Sequence, residues 1–315
     1  MSYLAELMLT LSRGAARLEG PRRARHADYL RRQQKPDGGF PGRRGASDIY
    51  YTSFALRGLA ILGHLDAEIA GRAASFLGDG FEGITGLVDL HCFAAAAGLT
   101  QIAAPESALR LPSPARFQQV TERMLESLRR DDGGYAKSPR GGQSSTYHTF
   151  LAATLLDALG LADRLQSDRL AAMLVSRQRG DGGFVELPAM RRGGTNPTAA
   201  GLVLLSLLRE QGLNDGRIQD CGARAESFLA DMQAADGGVR ASAVVPVSDL
   251  LSTFTARAAM IGKPGLGVAS INRFVEELEV PGGGFLPAGR SFDLAAEIDV
   301  EYTFYGVACL ALAEA

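Results

Sequence analysis

Tryptophan is absent from this 315-residue chain, and cysteine and histidine are sparse, at three and four. Without an indole face, a site that stacks sugar rings on Trp platforms is not expected. The cysteines (Cys92, Cys221 and Cys309) are odd in number, far apart and free of any Cys-x-x-Cys pair. That spacing excludes a disulfide framework and a cysteine-rich metal centre, and makes a reducing cytoplasm the expected compartment. Charge of one sign is also missing: 33 Lys and Arg face 35 Asp and Glu, a formal net charge of −2. Nucleic-acid partners call for a marked basic excess, so none is expected. No apolar run nears the roughly 18 residues that span a bilayer; the longest is "AAGLVLLSLL" at 199–208. The N-terminus, "MSYLAELMLTLSRGAARLEG", carries an early Glu and reads as a helix over about 1–20 rather than as a signal peptide.

Glycine is what the chain has in abundance, and it is placed periodically. "DGGF" at 37–40 returns as "DGGY" at 132–135, "DGGF" at 181–184, "DGGV" at 236–239 and "GGGF" at 282–285, with a decayed copy at "GDGFEG", 78–83. Six copies of one unit follow. Before each glycine pair lies an amphipathic segment, such as "PARFQQVTERMLESLRR" with Phe117, Val120, Met124 and Leu128 at helical spacing. After it comes a segment apolar almost all round, such as "FLAATLLDALG" or "FYGVACLALA". A helix apolar on every side must be buried on every side. Six buried helices ringed by six amphipathic ones predict an all-α, double-layered (α/α)6 barrel, formed by residues 1–315 as a single domain. First and last units resemble the middle ones, which suits a closed toroid better than an open solenoid. The glycine pairs read as stop signals of the outer-type helices. Asp48, Asp89, Ser145, Thr195, Asp249 and Asp299 fall where the buried helices need N-caps.

Six units built on "DGGF", an Arg-bearing loop and "D-x-x-(Y/H)-T" resemble the β subunit of the protein prenyltransferases and the wider squalene- and terpene-cyclase toroids. The resemblance runs from about Tyr29 to the C-terminus. It implies a ligand of isoprenoid type. The loop "PAMRRGGTNPTAAGL" (188–202) is similar to the one that holds the isoprenoid diphosphate in farnesyltransferase β subunits. In those enzymes a zinc ion is held by an Asp-x-Cys pair and a His, and activates a thiolate. Here Asp249 stands at the Asp position, but Leu251 replaces the Cys and Tyr302 the His. Zinc needs three protein ligands even in an open site, so no metal site and no cofactor are expected beyond Mg²⁺ accompanying a diphosphate. An α-type companion subunit leaves no mark in one chain. The cyclases use an Asp of an Asp-x-Asp-Asp motif as their acid, and that motif is missing too. The nearest acidic run is "EIDVE", with Glu297, Asp299 and Glu301; clustered carboxylates raise one another's pKa, although first-turn acids also simply complement a helix dipole.

Each glycine loop is followed by basic residues: Arg43 and Arg44, Lys137 and Arg140, Arg191 and Arg192, Arg240, and Arg290. Gathered at one mouth, they would form a cationic rim suited to a diphosphate head. His148, at the repeat position of Tyr51, Ser252 and Tyr302, is a candidate base, with His91 one place earlier in its own copy. Tyr50, Tyr51, Tyr147, Tyr302 and Tyr305 fall at one level and would grip an isoprenoid while hydrogen-bonding its head. Asp249, Asp299, His148 and Tyr302 are thus the candidate catalytic residues. Three functions stay open: prenyl transfer to a small acceptor without zinc, acid-initiated cyclisation by the "EIDVE" carboxylates, or a binding module that kept the ring and lost the chemistry.

Overall fold

The computed structural model describes residues 1–213, 215–289 and 298–314. Thirteen α-helices build these residues. They are α1 (Tyr3–Ala15), α2 (Gly20–Arg32), α3 (Ile49–Ile61), α4 (Ala67–Gly80), α5 (Leu87–Ala103), α6 (Pro114–Leu128) and α7 (Thr146–Ala158). The rest are α8 (Ser167–Arg177), α9 (Thr195–Glu210), α10 (Gly216–Asp231), α11 (Leu250–Ala259), α12 (Val268–Glu277) and α13 (Val300–Glu314). After α1, amphipathic and apolar helices alternate strictly, and six of each are present, as the repeat predicts.

The helices fall into two compact units. One comprises Met1–Ala5 and Thr121–Ile271. In it α9 is packed between α7 and α11, with α8 and α10 against its other side. That environment explains its composition: Ala199 to Leu205, Leu207 and Leu208 are all buried, and the charges of α9, Arg209 and Glu210, come only in its exposed last turn. Neighbouring α10 buries only Ile218, Cys221, Gly222, Ala225, Phe228 and Leu229, the stripe of a helix with one wet face. The second unit comprises Glu6–Val120 and the chain from Asn272 onward. There α3 is flanked by α5 and α13, and α2 and α4 pack against α3 from outside. In each unit every buried leucine truncated to Ala would cost about 2–5 kcal/mol, because neighbours on all sides leave little room for collapse.

The loops between outer and inner helices share one clasp. In "DGGF" (37–40), Asp37 accepts from Gly39 N at 3.0 Å and from Ser47 Oγ at 2.8 Å. Asp132 does the same with Gly134 N and Ser144 Oγ, and Asp236 with Gly238 N and Ser248 Oγ. The aromatic or apolar residue after the glycines then donates its N–H to a threonine in the following helix. Phe40 to Thr52, Tyr135 to Thr149, Phe184 to Thr198 and Val239 to Thr253 each measure 2.9 Å. Gly237 shows why the first glycine is needed: its φ is 92°, and a Cβ would lie 2.2 Å from Ser270 O.

The glycine pairs are therefore not the stop signals of the outer helices. α2 ends at a C-cap Gln33 with αR geometry, before its Gly pair begins. The left-handed helix stops belong to the inner helices. Gly160 (φ 69°) follows α7, with Leu161 N bonded to Leu156 O and Gly160 N to Asp157 O, a Schellman ending. Of the predicted N-caps, Asp48, Ser145 and Asp249 cap α3, α7 and α11. Asp299 Oδ1 accepts from Tyr302 N at 2.8 Å in the same manner. Two differ. Gly194 caps α9, which frees Thr195 Oγ1 to donate to Arg240 O at 2.5 Å. Gly86 caps α5, and Asp89 lies within its first turn. That register makes Asp89, not a residue next to His91, the equivalent of Tyr51 and His148, with His91 two residues further on.

Candidate functional site

In the unit that contains the termini of the repeat, the loop after Gly39, the start of α3 and the start of α13 enclose a cleft of about 430 Å³. Gly42, Arg43, Arg44, Tyr51, Asp299, Glu301 and Tyr302 line it. Clasping of the loop by Asp37 and Thr52 places Arg43 over α13: its Nε donates to Asp299 Oδ2 at 3.2 Å, and its guanidinium lies 5.8 Å from the Tyr302 ring. Asp299 is only 4% exposed. Burial raises its pKa, opposed by the Tyr302 N–H and by Arg43.

Glu301, in the first turn of α13, is the convergence point of two phenols. Tyr50 Oη donates to its Oε1 at 2.6 Å and Tyr305 Oη to the same oxygen at 3.0 Å. Burial raises the carboxyl pKa, and Asp299 adds to this; the two phenol hydrogen bonds and Arg57 pull it back only partly. Oε2 bonds no described residue. Tyr51 is also raised, by burial first and then by Glu301 and Asp299. Tyr305 is raised well above the usual phenol range, chiefly by its burial.

Behind the cleft lies a residue that sequence reasoning passed over. Arg57, the one charge in "FALRGLAILG", sits with its guanidinium 4.2 Å from the Phe54 ring and 4.8 Å from Phe304. Its Nε donates to Ser53 O at 3.3 Å. A lone arginine in an otherwise apolar helix was the available signal. Burial, and after it the Arg57 charge, pushes His91 down to about 3. His91 is thus a neutral buried group rather than a base at neutral pH. Burial also pushes the Cys92 thiol up to about 11, which leaves it unreactive.

The remaining candidates lie in the other unit. Asp249 caps α11, with Oδ1 accepting from Ser252 N at 2.7 Å and Oδ2 from Ser252 Oγ at 2.8 Å. Burial raises its carboxyl, with the Ser252 bonds opposing. Both oxygens are thus engaged, and among the described residues no three His, Cys, Asp or Glu side chains are grouped to hold a metal ion. This donor set does not fit zinc. Arg240 is half-buried and donates to Asp231 O at 3.5 Å. Arg191 and Arg192 are exposed, as are Lys137 and Arg140. The loop that carries Arg191 and Arg192 is held by Arg179, which donates to Pro188 O at 2.8 Å and Met190 O at 2.9 Å. Tyr147 is 38% exposed, and His148 lies beside it at a ring-centroid distance of 5.5 Å. Arg290 and Glu297 lie outside the described residues.

Residues 8–75 and 79–241 match the prenyltransferase alpha-alpha toroid domain, and the chain belongs to that family. Its fold is the mostly helical toroid that the repeat predicts. The chain is similar to Candida albicans protein geranylgeranyltransferase-I complexed with GGPP, at 13% identity and a TM-score of 0.65, covering 92% of this chain and 90% of that one. It is also similar to a type II terpene cyclase from Scytonema in complex with its substrate, geranylgeranyl dihydroxybenzoate: 13% identity, TM-score 0.58, 98% of each chain. An α-1,6-mannanase from Salegentibacter has 14% identity and a TM-score of 0.58, covering 93% of this chain and 98% of that one. At such identities the likeness is one of fold. No curated protein matches the sequence. Among the described residues, no helix is long and apolar enough to cross a membrane.

Proposed function

We propose that this protein binds an isoprenoid ligand and acts on it by protonation, with Glu301 as the acid. The observation that carries this reading is the geometry of Glu301: Oε1 takes both phenols, while Oε2 is left without a described partner on a residue lining the cleft. Oε2 is therefore the oxygen on which a proton can reside, and burial favours the protonated form. Asp299 has Arg43 as an ion-pair partner, whereas Glu301 has none among the described residues. The division into a paired carboxylate and an unpaired carboxyl suits one acid and one charge stabiliser. Transfer of the Oε2 proton to an alkene carbon uses the π pair for the new C–H bond and leaves a cation on the neighbouring carbon. A second alkene closes the C–C bond, and loss of a proton to water ends an overall isomerisation. Tyr51 and Tyr302 line the cleft, and aromatic rings there suit a cation. The cleft volume falls within the roughly 300–1,000 Å³ of small-molecule sites. The three cysteines are buried and in no disulfide among the described residues, which fits the cytoplasmic location expected for the chain.

A second reading has its own observation. Arg191 and Arg192 are exposed on a loop pinned by Arg179, beside the N-terminus of α9. This suits binding of an isoprenoid diphosphate, with or without Mg²⁺, and prenyl transfer to an acceptor without zinc. One experiment separates the readings: incubation with geranylgeraniol and with geranylgeranyl diphosphate in D2O, followed by mass analysis and a phosphate assay. Cyclised product carrying one deuterium, lost in Glu301→Gln, supports protonation. Released diphosphate that depends on Arg191 and Arg192 overturns it in favour of prenyl transfer. Binding of either lipid with no conversion makes the protein a binding module.

A further inference from the structure

At the start of α7, the N-cap does more than a cap requires. Ser145 Oγ accepts from His148 N at 3.1 Å, which is the capping bond. The same oxygen lies 2.9 Å from His148 Nδ1 and hydrogen-bonds Glu186 Oε1. Glu186 is itself fixed, with Oε2 accepting from Tyr147 N at 3.2 Å and its backbone O from Thr146 N at 3.1 Å. Proton counting then sets the tautomer. A carboxylate has no hydrogen to give, so the single Ser145 hydroxyl proton points to Glu186. Ser145 Oγ can only accept from His148, and Nδ1 must carry the ring hydrogen. The lone pair is left on Nε2, which bonds no described residue and is not sealed from solvent.

We propose that Glu186, Ser145 and His148 form a proton-accepting centre in which His148 Nε2 takes the hydroxyl proton of a bound alcohol or phenol. The step balances within the site: the O–H bond breaks, its electron pair stays on the ligand oxygen, and the proton moves to Nε2. The resulting imidazolium keeps its Nδ1–H on Ser145, whose hydroxyl passes the stabilisation on to Glu186. Lys137 acts electrostatically on His148 and would favour the ligand anion. Tyr147, edge-on to His148 and partly exposed, offers a ring against which a phenol can pack. Burial, with Lys137 second, lowers the His148 pKa, which keeps the ring neutral and able to accept. The nearby Arg177, which senses the charges of Asp132 and Glu186, balances the carboxylate from the α8 side. None of this depends on the reading of Glu301.

The chain has four histidines (His26, His64, His91 and His148), so ¹⁵N-histidine labelling of the full protein resolves each ring. At pH 7, His148 is expected as the Nδ1–H tautomer. In Glu186→Ala the Ser145 hydroxyl is free to donate to Nδ1, and the ring hydrogen should move to Nε2. A wild-type Nε2–H tautomer, or no response to Glu186→Ala while the other three histidine signals stay in place, overturns the proposal. If Glu186→Ala does not fold, Glu186→Gln is read the same way, since its amide can donate to Ser145 and reverse the chain. Titration with p-nitrophenol adds a direct readout: bound phenolate absorbance is expected in the wild type and its loss in His148→Gln. Absorbance equal in the two proteins, or none in the wild type, also overturns the proposal.

Discussion

Tyr50, in the first turn of α3, and Glu301, in the first turn of α13, are joined by a 2.6 Å hydrogen bond across 251 positions of sequence. Tyr305 completes the arrangement on the same carboxyl oxygen. Both phenols stabilise the ionised form, so each restrains the upward shift that burial imposes. Replacing Tyr50 with Phe is expected to raise the Glu301 pKa further. If Glu301 is the acid, activity falls as pH rises through that pKa, and Tyr50→Phe moves this limb to higher pH. A pH–rate profile checks the direction.

The same shift has a consequence for stability. A carboxyl whose folded pKa is raised contributes stability below its unfolded pKa and loses it as pH rises through the folded value. Glu301→Gln removes a desolvated charge, so the variant should melt above the wild type at pH 8 and lose this advantage at low pH. Thermal melts across that range test it, and a variant that is less stable at pH 8 would contradict the burial argument.

Asp299 depends on Arg43 for its only ion pair among the described residues. Arg43→Gln leaves a buried carboxylate with backbone donors alone. Because Arg43 is partly exposed, the loss is expected at about 1–2 kcal/mol at pH 7, below the full cost of breaking a buried pair. The double variant Arg43→Gln/Asp299→Asn should recover most of it in urea unfolding.

The clasp threonines make a sharper structural prediction. Thr198→Val keeps the shape but leaves the buried Phe184 N–H without its acceptor. The expected loss is about 1–3 kcal/mol, and Thr198→Ser, which keeps the hydroxyl, should lose less. Denaturant midpoints of the two variants decide the matter.

Glu279 predicts resistance to acid. Burial alone would raise it, but hydrogen bonds from His26, Arg22 and Arg25 hold it down to about 2. A depressed carboxylate contributes stability above its unfolded pKa and loses it as pH falls through the folded one. The contribution should persist until pH nears 2. Solvent screening reduces the full linkage value to about 1–2 kcal/mol. Glu279→Gln should lose that amount at pH 7 and converge on the wild type below pH 2.

The repeat was legible because α9 and its equivalents are apolar almost all round, a pattern that burial from nearly every direction explains. Asp48, Ser145 and Asp249 were legible as caps because a cap is a local device. The register of α5 was misread because its copy lacks both the clasp aspartate and the clasp threonine, leaving no anchor for alignment. Arg43 read as a free rim charge because its partner Asp299 is 256 positions away. Glu186 went unnoticed for a similar reason: its link to Ser145 spans 41 positions and two helices. Tyrosines and carboxylates were visible singly, but their convergence on one oxygen is a property of packing.

The clasp also bears on how such a protein diversifies. Its anchors, an aspartate, a serine and a threonine, hold the base of each loop through the second glycine and the residue that follows it. Past these anchors, residues 137–143 are mostly exposed, and 241–247 are exposed or half-buried. Loops of this kind act as interchangeable cassettes. Insertions and charge changes there alter what the loop surface meets while leaving the helix pairs in place, so new ligand preferences can arise by loop exchange without a new fold.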